Sequence, residues 1–493
     1  MSVGHVTLAV GADRYLYDTS TNALVTIPPM ACEVLEDWIR LGARRTLRRM
    51  AGRHPAGELR KALEFLGACR QRGMLRPMGR LDFLDVVRTS RLRRLYACAP
   101  RRVTLGVTER CNQRCRYCPF VAVQGGPRRP VDMTWEIARP SVDRLLVGAP
   151  PGSAPTLELF GGEPTLKWPL VEQVIDHVRR RWRRRDVQLV LYTNATLLDR
   201  ARLARLVASD VLLVLSLDGP GRVHDRERRL AGGAPTHSRV LRTLRALRRR
   251  HPAYLRRRVQ VHCTFGLESD LLAVFRYFSR PAFRDLDITF GYRAGGGPEN
   301  EADLARHEAQ LEILDRWHVE ALHGRRAFHR GLYASILGAS LGGVLFRRVG
   351  TAGTVAHPNR ACLPGQRRYF VSGTGSIHPC EHHVGPGSEI GDLKGGIDVA
   401  RAGELLRGHA QLCNRMCQGC WAWRLCSHCF LHSLDVAGRP SAACKEKACR
   451  IERERIRRSL RRWIRIWAAE PRWARRVKGS LRWLEAHPDD AVP

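Results

Sequence analysis

Long hydrophobic runs are absent from this chain of 493 residues. The longest stretch without a charged residue, from Gly331 to Phe346, is too short and too glycine-rich to cross a bilayer. The N-terminus lacks the charged start and the apolar run of a secretory signal peptide. Internal repeats are absent as well, and low complexity is confined to arginine-rich patches. These absences predict a cytoplasmic protein that neither spans nor binds a membrane.

Lysine is scarce, yet the formal net charge is +37, so nearly all of the positive charge comes from arginine. Such a charge indicates either an acidic partner or a nucleic acid. It also fits a compositional bias toward arginine on solvated faces. The stretches Arg179–Arg185 and Arg453–Arg465 fall on amphipathic helical patterns, which favours solvated faces. Hydrophobic residues make up 44% of the chain, and this content with this length predicts two to four globular domains.

The chain has sixteen cysteines, which in a long intracellular protein indicate metal rather than disulfides. Cys111, Cys115 and Cys118 follow one another at C-x3-C-x2-C spacing. Thiolates are the usual ligands of a [4Fe–4S] cluster, which has four irons, so three ligands leave one iron open to a substrate or cofactor. Zinc is the main alternative, but structural zinc sites use four ligands and C-x2-C pairs.

From Arg102 onward, apolar strands alternate with helical patterns such as Pro169–Arg183 and Ser238–Arg250. The predicted strands are Val103–Val107, Leu157–Phe160, Val187–Tyr192, Val211–Leu217, Gln260–Phe265 and Ile288–Tyr292. Six β/α units predict an α/β fold in which a parallel sheet curves into a partial barrel. In β/α barrels the active site lies at the C-terminal ends of the strands. The cysteine loop follows the first of these strands.

Motifs after the next three strands complete a resemblance to the radical S-adenosylmethionine (SAM) enzymes. They read Gly161-Gly162-Glu163-Pro164, Thr193-Asn194-Ala195-Thr196 and Ser216-Leu217-Asp218-Gly219-Pro220, the last followed by His224-Asp225. The resemblance implies that the cysteines hold a [4Fe–4S] cluster that cleaves SAM to a 5′-deoxyadenosyl radical. It places Gly161, Gly162 and Glu163 at the methionine amino group, Asn194 nearby, Ser216 and Asp218 near the ribose, and Tyr117 near the adenine. Ala195 stands where the family has glycine, and the change to alanine limits the backbone freedom of the turn. Turn and helix-capping roles are equally open for His224 and Asp225, as is simple packing for Tyr117.

A second group of cysteines lies toward the C-terminus and resembles the SPASM extension of radical SAM enzymes, which carries two auxiliary [4Fe–4S] clusters. The pattern consists of Cys362, Gly375, Cys380, Cys417, Cys420, Cys426, Cys429 and Cys444. By resemblance, Cys417, Cys420, Cys426 and Cys444 hold the second auxiliary cluster, while Cys362, Cys380 and Cys429 hold the first. The first set lacks an evident fourth ligand, for which Cys413 and Cys449 are spare candidates. The spacing from Cys426 to Cys429 is one residue short of the family pattern, and a zinc ribbon using Cys417–Cys429 is the alternative. Cys32, Cys69, Cys98 and Cys263 lie in apolar settings and are expected to be core residues.

Residues 1–95 carry no cluster ligand in this scheme. The pattern suggests a winged-helix-like domain, with strands at His5–Ala9 and within Arg14–Ile27, helices at Ala31–Leu41 and Leu59–Arg72, and the start of a short wing strand at Gly73–Leu75. It resembles the leader-peptide recognition domain of maturases that modify ribosomally made peptides, which adds the peptide to a sheet edge. A purely structural domain is the alternative. The predicted domains are 1–95, a radical SAM partial barrel at 96–350, a SPASM domain at 351–450 and a basic helical segment at 451–493.

The sequence therefore predicts a radical SAM/SPASM peptide maturase that abstracts hydrogen from a precursor peptide and installs a thioether or carbon–carbon crosslink. It would need an external electron donor such as flavodoxin or ferredoxin, and nucleic acid is not expected as a partner. Two alternatives remain, a formylglycine-forming sulfatase maturase and an RNA-modifying radical SAM enzyme. The first predicts a general base near the substrate, and the second would use the positive charge.

Overall fold

The computed structural model describes residues 3–97, 100–118, 130–150, 152–292, 301–322, 325, 339–345, 347–351, 353, 362–384, 387–435 and 437–469. Cys98 and the end of the predicted basic segment, 470–493, lie outside this range. The chain divides into two compact units. One comprises Met1–Arg88, Gly338–Ala361 and Arg407–Pro493, and the other comprises Thr89–Leu337 and Cys362–Leu406. Among the described helices, none is long and apolar enough to cross a membrane.

The N-terminal residues form a three-stranded antiparallel sheet followed by four helices. The strands are β1 (His5–Val10), β2 (Asp13–Asp18) and β3 (Ala23–Thr26), and the helices are α1 (Pro29–Glu33), α2 (Leu35–Leu41), α3 (Ala43–Met50) and α4 (Ala56–Gln71). The turn between β2 and β3 is closed by Asp18, whose buried carboxylate accepts hydrogen bonds from Thr21 N and Leu75 N at 2.8 and 2.9 Å. An apolar core including Leu16, Trp38 and Leu66 joins sheet and helices.

The predicted wing strand at Gly73–Leu75 is wrong, because the structure has no strand there. Leu75 has a φ of 54°, which is incompatible with an extended strand. Its N–H bonds to the Asp18 carboxylate and not to a neighbouring strand.

The same compact unit contains the second half of the cysteine-rich region. Its helices are α14 (Ala339–Leu345), the end of α15 (Val399–Met416) and α16 (Ala442–Ala469). Thr19 Oγ1 donates to Trp421 O at 2.6 Å, and Phe83 N donates to Asn414 Oδ1 at 2.8 Å. The Tyr17 ring meets the Trp421 ring edge to face. The N-terminal sheet and the cysteine-bearing segment therefore stabilise one another.

The other unit is built on a ten-stranded sheet. Six consecutive strands of this sheet are parallel: β4 (Arg102–Thr108), β5 (Thr156–Gly161), β6 (Gln188–Thr193), β7 (Leu212–Ser216), β8 (Val259–Phe265) and β9 (Asp287–Tyr292). The helices of this unit are α5 (Thr89–Leu95), α6 (Trp135–Gly148), α7 (Trp168–Arg181), α8 (Arg200–Ala208), α9 (Gly221–Glu227), α10 (His237–Arg250), α11 (Pro252–Arg258), α12 (Leu271–Phe278) and α13 (Glu301–Leu322). The predicted α/β architecture with six parallel strands is confirmed.

The sheet continues beyond β4 with β10 (Arg368–Val371), which is parallel to it, and then with the short antiparallel strands β11 (Ser376–His378), β12 (Gly391–Asp392) and β13 (Gly396–Ile397). Along the parallel strands, apolar side chains alternate with polar ones. Leu105, Leu159 and Cys263 belong to the large apolar core shared with the helices. Thr104, Glu158 and Tyr192 alternate with those apolar residues and bond to one another, so they lie on the opposite, inner face of the curved sheet.

Candidate functional site

The loop that carries Cys111, Cys115 and Cys118 begins three residues after β4 ends. The last residue of α9 and the segment after it hold this loop through the backbone: Arg114 N donates to Arg229 O at 2.8 Å, and Arg116 N donates to Glu227 O at 3.0 Å. Within the loop, Cys118 N donates to Cys115 O at 3.1 Å. These bonds fix the loop over the C-terminal ends of the strands, where the sequence predicted the site.

The three thiols lie close enough to act on one another electrostatically. Burial raises the pKa of Cys111 to about 12 and that of Cys115 to about 11, so the metal-free thiols are protonated and metal binding must release protons. Among the described residues, no three His, Cys, Asp or Glu side chains are arranged to bind a single metal ion. A [4Fe–4S] cluster holds its thiolates farther apart, because each thiolate binds a different iron.

One buried polar atom supports the fit of such a cluster. Gln113 Nε2 has no hydrogen-bond partner among the described residues, although the Gln113 backbone N–H donates to Cys111 Sγ at 3.3 Å. The thiol of Cys115 donates to the Gln113 Oε1 at 3.4 Å. An amide N–H buried among thiols is satisfied when the cluster's sulfur atoms lie beside it. Gln113 was missed by the sequence analysis, because nothing but its position in the loop distinguishes it.

Gly161 and Gly162 let the loop after β5 pass against the start of the cysteine loop. Gly162 N donates to Thr108 O at 2.7 Å, and Glu163 N donates to Arg110 O at 2.8 Å. A Cβ on Gly162 would lie 2.1 Å from Arg110 O, and one on Gly161 would lie 2.3 Å from Thr108 O. Both glycines are therefore required by close backbone contact, quite apart from any role toward a ligand.

Glu163 is fully buried and joins the loops that follow β5 and β6. Its carboxylate accepts hydrogen bonds from Thr165 Oγ1 at 2.5 Å, from Thr193 Oγ1 at 2.7 Å and from Asn194 N at 2.7 Å. Burial raises the pKa of Glu163 above its usual value, and the hydrogen bonds oppose this shift. Thr193, whose hydroxyl also accepts from Ala195 N, is a second contributor that its motif alone did not single out.

Asn194 connects this network to the cysteine loop. Its amide nitrogen donates to Asn112 Oδ1 at 2.8 Å and lies 4.0 Å from Cys111 Sγ. Its carbonyl oxygen accepts from Thr196 N at 3.0 Å. Ala195 has a φ of 62°, the left-handed conformation that glycine would adopt more easily. The substitution of Ala for Gly has therefore left the turn in place at a cost in backbone strain.

Asp218 is buried at the end of β7 and binds three elements together. It accepts from Tyr117 Oη at 2.8 Å, from Thr264 N at 2.9 Å and from Arg228 Nε at 2.6 Å. The Arg228 guanidinium also lies over the Tyr117 ring at 5.2 Å and its Nη1 is 4.0 Å from Cys115 Sγ. Burial raises the pKa of Asp218, but the charges of Arg228 and His224 and the hydrogen bonds from Arg228 and Thr264 together outweigh it, and the net shift is downward.

Arg228 is the main residue that sequence reasoning missed. In a chain so rich in arginine, one more Arg after the His-Asp pair gives no distinguishing pattern. It becomes visible only because the fold buries it against a carboxylate and a cluster-loop thiol.

His224 and Asp225 have structural roles in this fold. The Nδ1 of His224 accepts from Asp218 N at 3.1 Å, and its Nε2 bonds to Thr236 Oγ1 at 3.0 Å. Asp225 accepts from the backbone of Thr236 and His237, at the start of α10. Ser216 stands half-buried at the C-terminal end of β7, beside this network. Its predicted contact with the SAM ribose stays a prediction.

Two of the predicted auxiliary ligands lie in the same unit as the barrel. Cys362 precedes β10 and Cys380 follows β11, and their thiols are close enough to interact electrostatically. Arg368 approaches Glu381 to 3.6 Å and also interacts electrostatically with both thiols. Cys429, the third residue of that predicted set, belongs to the other compact unit, together with Cys413, Cys417, Cys420, Cys426, Cys444 and Cys449.

The geometry agrees with a family comparison. Residues 105–257 match the radical SAM superfamily, so the barrel unit contains a radical SAM domain. This assignment implies SAM and a [4Fe–4S] cluster as cofactors, with Cys111, Cys115 and Cys118 as the ligands that fit. Proteins of this superfamily are enzymes, and the radical SAM domain makes this protein an enzyme.

Among curated proteins, the chain is 22% identical over 340 residues to the cysteine-type anaerobic sulfatase-maturating enzyme of Clostridium perfringens, covering 64% of this chain and 84% of that protein. It is 25% identical over 132 residues to the radical SAM cyclopropyl synthase TigE of Paramaledivibacter caminithermalis, covering 25% of this chain. A solved structure titled native anSMEcpe with bound AdoMet aligns with a TM-score of 0.57 at 20% identity, over 74% of this chain and 98% of that one.

The chain spans only part of some relatives. It covers 28% of TigE and 37% of an uncharacterised protein of Methanocaldococcus jannaschii.

Proposed function

We propose that this enzyme uses SAM-derived radical chemistry to modify a ribosomally made precursor peptide, forming a thioether or carbon–carbon crosslink. The observation that carries the proposal is the combination, in one chain, of the radical SAM site with an N-terminal sheet that packs on a cysteine-rich segment. The cofactor pair supplies a 5′-deoxyadenosyl radical when bound. The protein must orient the reactants and keep water away from them.

The residues around the cysteine loop fit the binding of SAM at the edge formed by β4 to β7. Glu163, Asn194 and Asp218 are held by dense hydrogen bonding, which gives the site a preorganised shape. Their predicted contacts to the methionine and ribose parts of SAM remain part of this proposal. Isothermal titration of SAM into the reconstituted protein tests them.

Peptide capture is assigned to the N-terminal sheet. Strand β2 is paired on both sides, whereas β3 pairs only with β2 within the described sheet. An extended peptide can add to such an edge by backbone hydrogen bonds. Hydrogen–deuterium exchange of the full-length protein, with and without a synthetic candidate precursor peptide, should then show protection at Ala23–Thr26. Equal exchange there in both samples would contradict capture at β3.

An electron donor is the second partner proposed. A cleft of about 600 Å³ beside the cysteine loop is lined by Arg114, Arg116, Gly221, Arg222, Asp225, Arg226, Glu227 and Arg229. Guanidinium groups bind carboxylates well, so this cleft suits an acidic protein of the flavodoxin or ferredoxin class.

A matched pair of variants tests this docking surface. Replacing Arg116, Arg222 and Arg229 by Gln should slow cluster reduction by flavodoxin, more at low salt than at high salt. The control replaces Arg181, Arg183 and Arg184, which lie where α7 ends and β6 is about to begin, at the opposite edge of the sheet. Equal rates for both triple variants would refute the docking surface.

Crosslinking itself is tested by mass spectrometry of the precursor peptide after reaction. A thioether predicts the loss of two hydrogens and one cysteine that iodoacetamide no longer alkylates. The same mass loss with every cysteine still alkylated would indicate a carbon–carbon bond. No mass change, with SAM still cleaved, would refute the peptide assignment.

Sulfatase maturation is the second candidate, favoured by the long match to the Clostridium perfringens enzyme. Among the residues that the structure describes, Glu158 on the inner face of the sheet is a candidate for the general base that this reaction requires. Glu158 is buried, accepts from Thr104 Oγ1 at 2.6 Å and from Tyr192 Oη at 3.2 Å, and is 3.5 Å from Arg102. A peptide aldehyde captured by a hydrazide probe, lost in Glu158→Gln, would support this candidate over crosslinking.

A further inference from the structure

The first turns of α16 present one continuous face to the cysteine-bearing segment. Lys445, Ile456, Ser459 and Trp463 are buried on this helix, and the period of 3.6 residues places Cys449 and Glu452 on the same face. Cys449 follows Lys445 by four residues, so the two side chains are neighbours. Cys444 precedes Lys445 by one residue and is turned away from this face by roughly 100°.

Hydrogen bonds show what this face contacts. Glu452 accepts from Ser427 N at 2.7 Å, and Arg455 bonds to both Glu452 and Ser427 Oγ. Ser427 directly follows Cys426 in the chain. The face that includes Cys449 therefore lies against the loop of Cys426.

The other two thiols of the C-x2-C-x5-C motif lie close by. Cys420 N donates to Cys417 O at 3.2 Å, so both cysteines share one turn after α15. The thiol of Cys449 interacts electrostatically with those of Cys417 and Cys420, and Cys426 interacts with Cys417. Four thiols on three segments of one compact unit thus converge, and the thiol of Cys413, near the end of α15, lies beside them in hydrogen-bond contact with that of Cys417.

Lys445 lies in the middle of these thiols. Its side chain is fully buried, and among the described residues its Nζ has no oxygen acceptor and meets only the thiols of Cys413 and Cys417. The thiols of Cys413, Cys417, Cys426 and Cys449 all lie close enough to Lys445 to interact with its charge. A buried ammonium group without an oxygen acceptor needs a nearby anion.

We propose that Cys449, and not Cys444, joins Cys417, Cys420 and Cys426 as ligands of a [4Fe–4S] cluster, and that Lys445 is its buried counter-charge. A cluster with four thiolates carries net negative charge, which Lys445 offsets. The charge of Lys445 stabilises the reduced form more than the oxidised form, because reduction adds a further electron. The inference rests on the proposed auxiliary clusters and names the residues of one of them.

The chain provides a matched control for the ligand. Cys449→Ala should lower iron and acid-labile sulfide by about one cluster, roughly four irons per chain. Cys444→Ala, on the same helix, should leave both at the wild-type level. Cys413→Ala tests the remaining neighbour, whose thiol is 3.5 Å from His409 Nε2, and should also retain the iron. Iron loss in the Cys444 or Cys413 variant, with none in the Cys449 variant, overturns the assignment.

Circular dichroism and the electron paramagnetic resonance signal of the cluster at Cys111–Cys118 report whether each variant is folded. If Cys449→Ala does not fold, Cys449→Ser should fold and show a changed spectrum of one cluster only. An unchanged spectrum refutes the ligand role. These measurements need neither peptide nor SAM. The ligand assignment can therefore fail while crosslinking is observed, and crosslinking can be absent while the ligand assignment holds.

Lys445→Met tests the counter-charge, with the exposed Lys447→Met as control. At a potential where the wild-type cluster is half reduced, loss of the buried charge should lower the ratio of reduced to oxidised cluster roughly tenfold or more. Lys447→Met should leave this ratio unchanged, and iron content should be equal in both variants. A wild-type ratio in Lys445→Met refutes the role of Lys445.

Discussion

The buried pair of Asp218 and Arg228 makes the sharpest stability prediction for the radical SAM domain. Arg228→Met keeps the length of the side chain but leaves the Asp218 carboxylate buried without its cation. Removing one partner of a buried pair costs about 3–5 kcal/mol. Because ~1.4 kcal/mol corresponds to a tenfold change, this loss should speed amide exchange that requires opening of the domain roughly a hundredfold to several thousandfold.

The assay is hydrogen–deuterium exchange of the full-length protein, followed at β7, which ends two residues before Asp218, and at β8, which carries Thr264 near its C-terminal end. Arg258→Met is the matched control, since Arg258 pairs with Asp210 with Nε at 2.9 Å but both side chains are partly exposed. An exposed pair contributes about 1 kcal/mol or less, so exchange should change by only a few-fold. Similar exchange in the two variants would refute the argument that Arg228 holds the site together.

Three further predictions concern the same domain. His224 is buried and neutral, since burial lowers its pKa to about 4, below the unfolded value of ~6.5. The stability that neutral His224 contributes is therefore present above the pKa of the unfolded state and is lost as the pH falls toward the pKa of the folded state. Between about pH 7 and about pH 5, the unfolding free energy of wild type should fall by about 2 kcal/mol relative to that of His224→Asn. Urea unfolding measures this difference. A parallel decline in both proteins would contradict this. Gly162→Ala, whose Cβ would meet Arg110 O at 2.1 Å, should weaken SAM binding at least ~10-fold by titration calorimetry, whereas Gly232→Ala, which meets nothing within 4 Å, should not. Ala195→Gly should raise the free energy of unfolding by about 0.5–1 kcal/mol, and with it the urea midpoint, because glycine adopts a φ of 62° without strain. A lower midpoint would argue against strain at this turn.

Much of the barrel could be predicted from the sequence. Buried parallel strands appear as short apolar runs, and each predicted run from Val103–Val107 to Ile288–Tyr292 coincides with an observed strand. The cysteine loop and the Gly161–Glu163 motif were placed at strand ends by the same pattern. Local periodicity and fixed spacing determine these features, because each depends on residues that are close in the chain.

The wing strand shows where local patterns fail. The sequence pattern of Gly73–Leu75 suggested an extended strand, but the hydrogen bond that Leu75 N donates to the carboxylate of Asp18, distant in sequence, determines the backbone of Leu75. Arg228 and Gln113 could not be identified from the sequence for a related reason. Their importance comes from burial beside Asp218 and the cluster thiols, and burial depends on the whole fold.

The choice between Cys444 and Cys449 illustrates the same division. The sequence by itself determined that a thiol near the start of the last helix follows the C-x2-C-x5-C motif. Both cysteines satisfy that condition, and spacing cannot separate them. Only the tertiary structure decided which face of α16 meets the loop of Cys426, because packing of that face is set by Glu452, Ile456 and Trp463 farther along the helix.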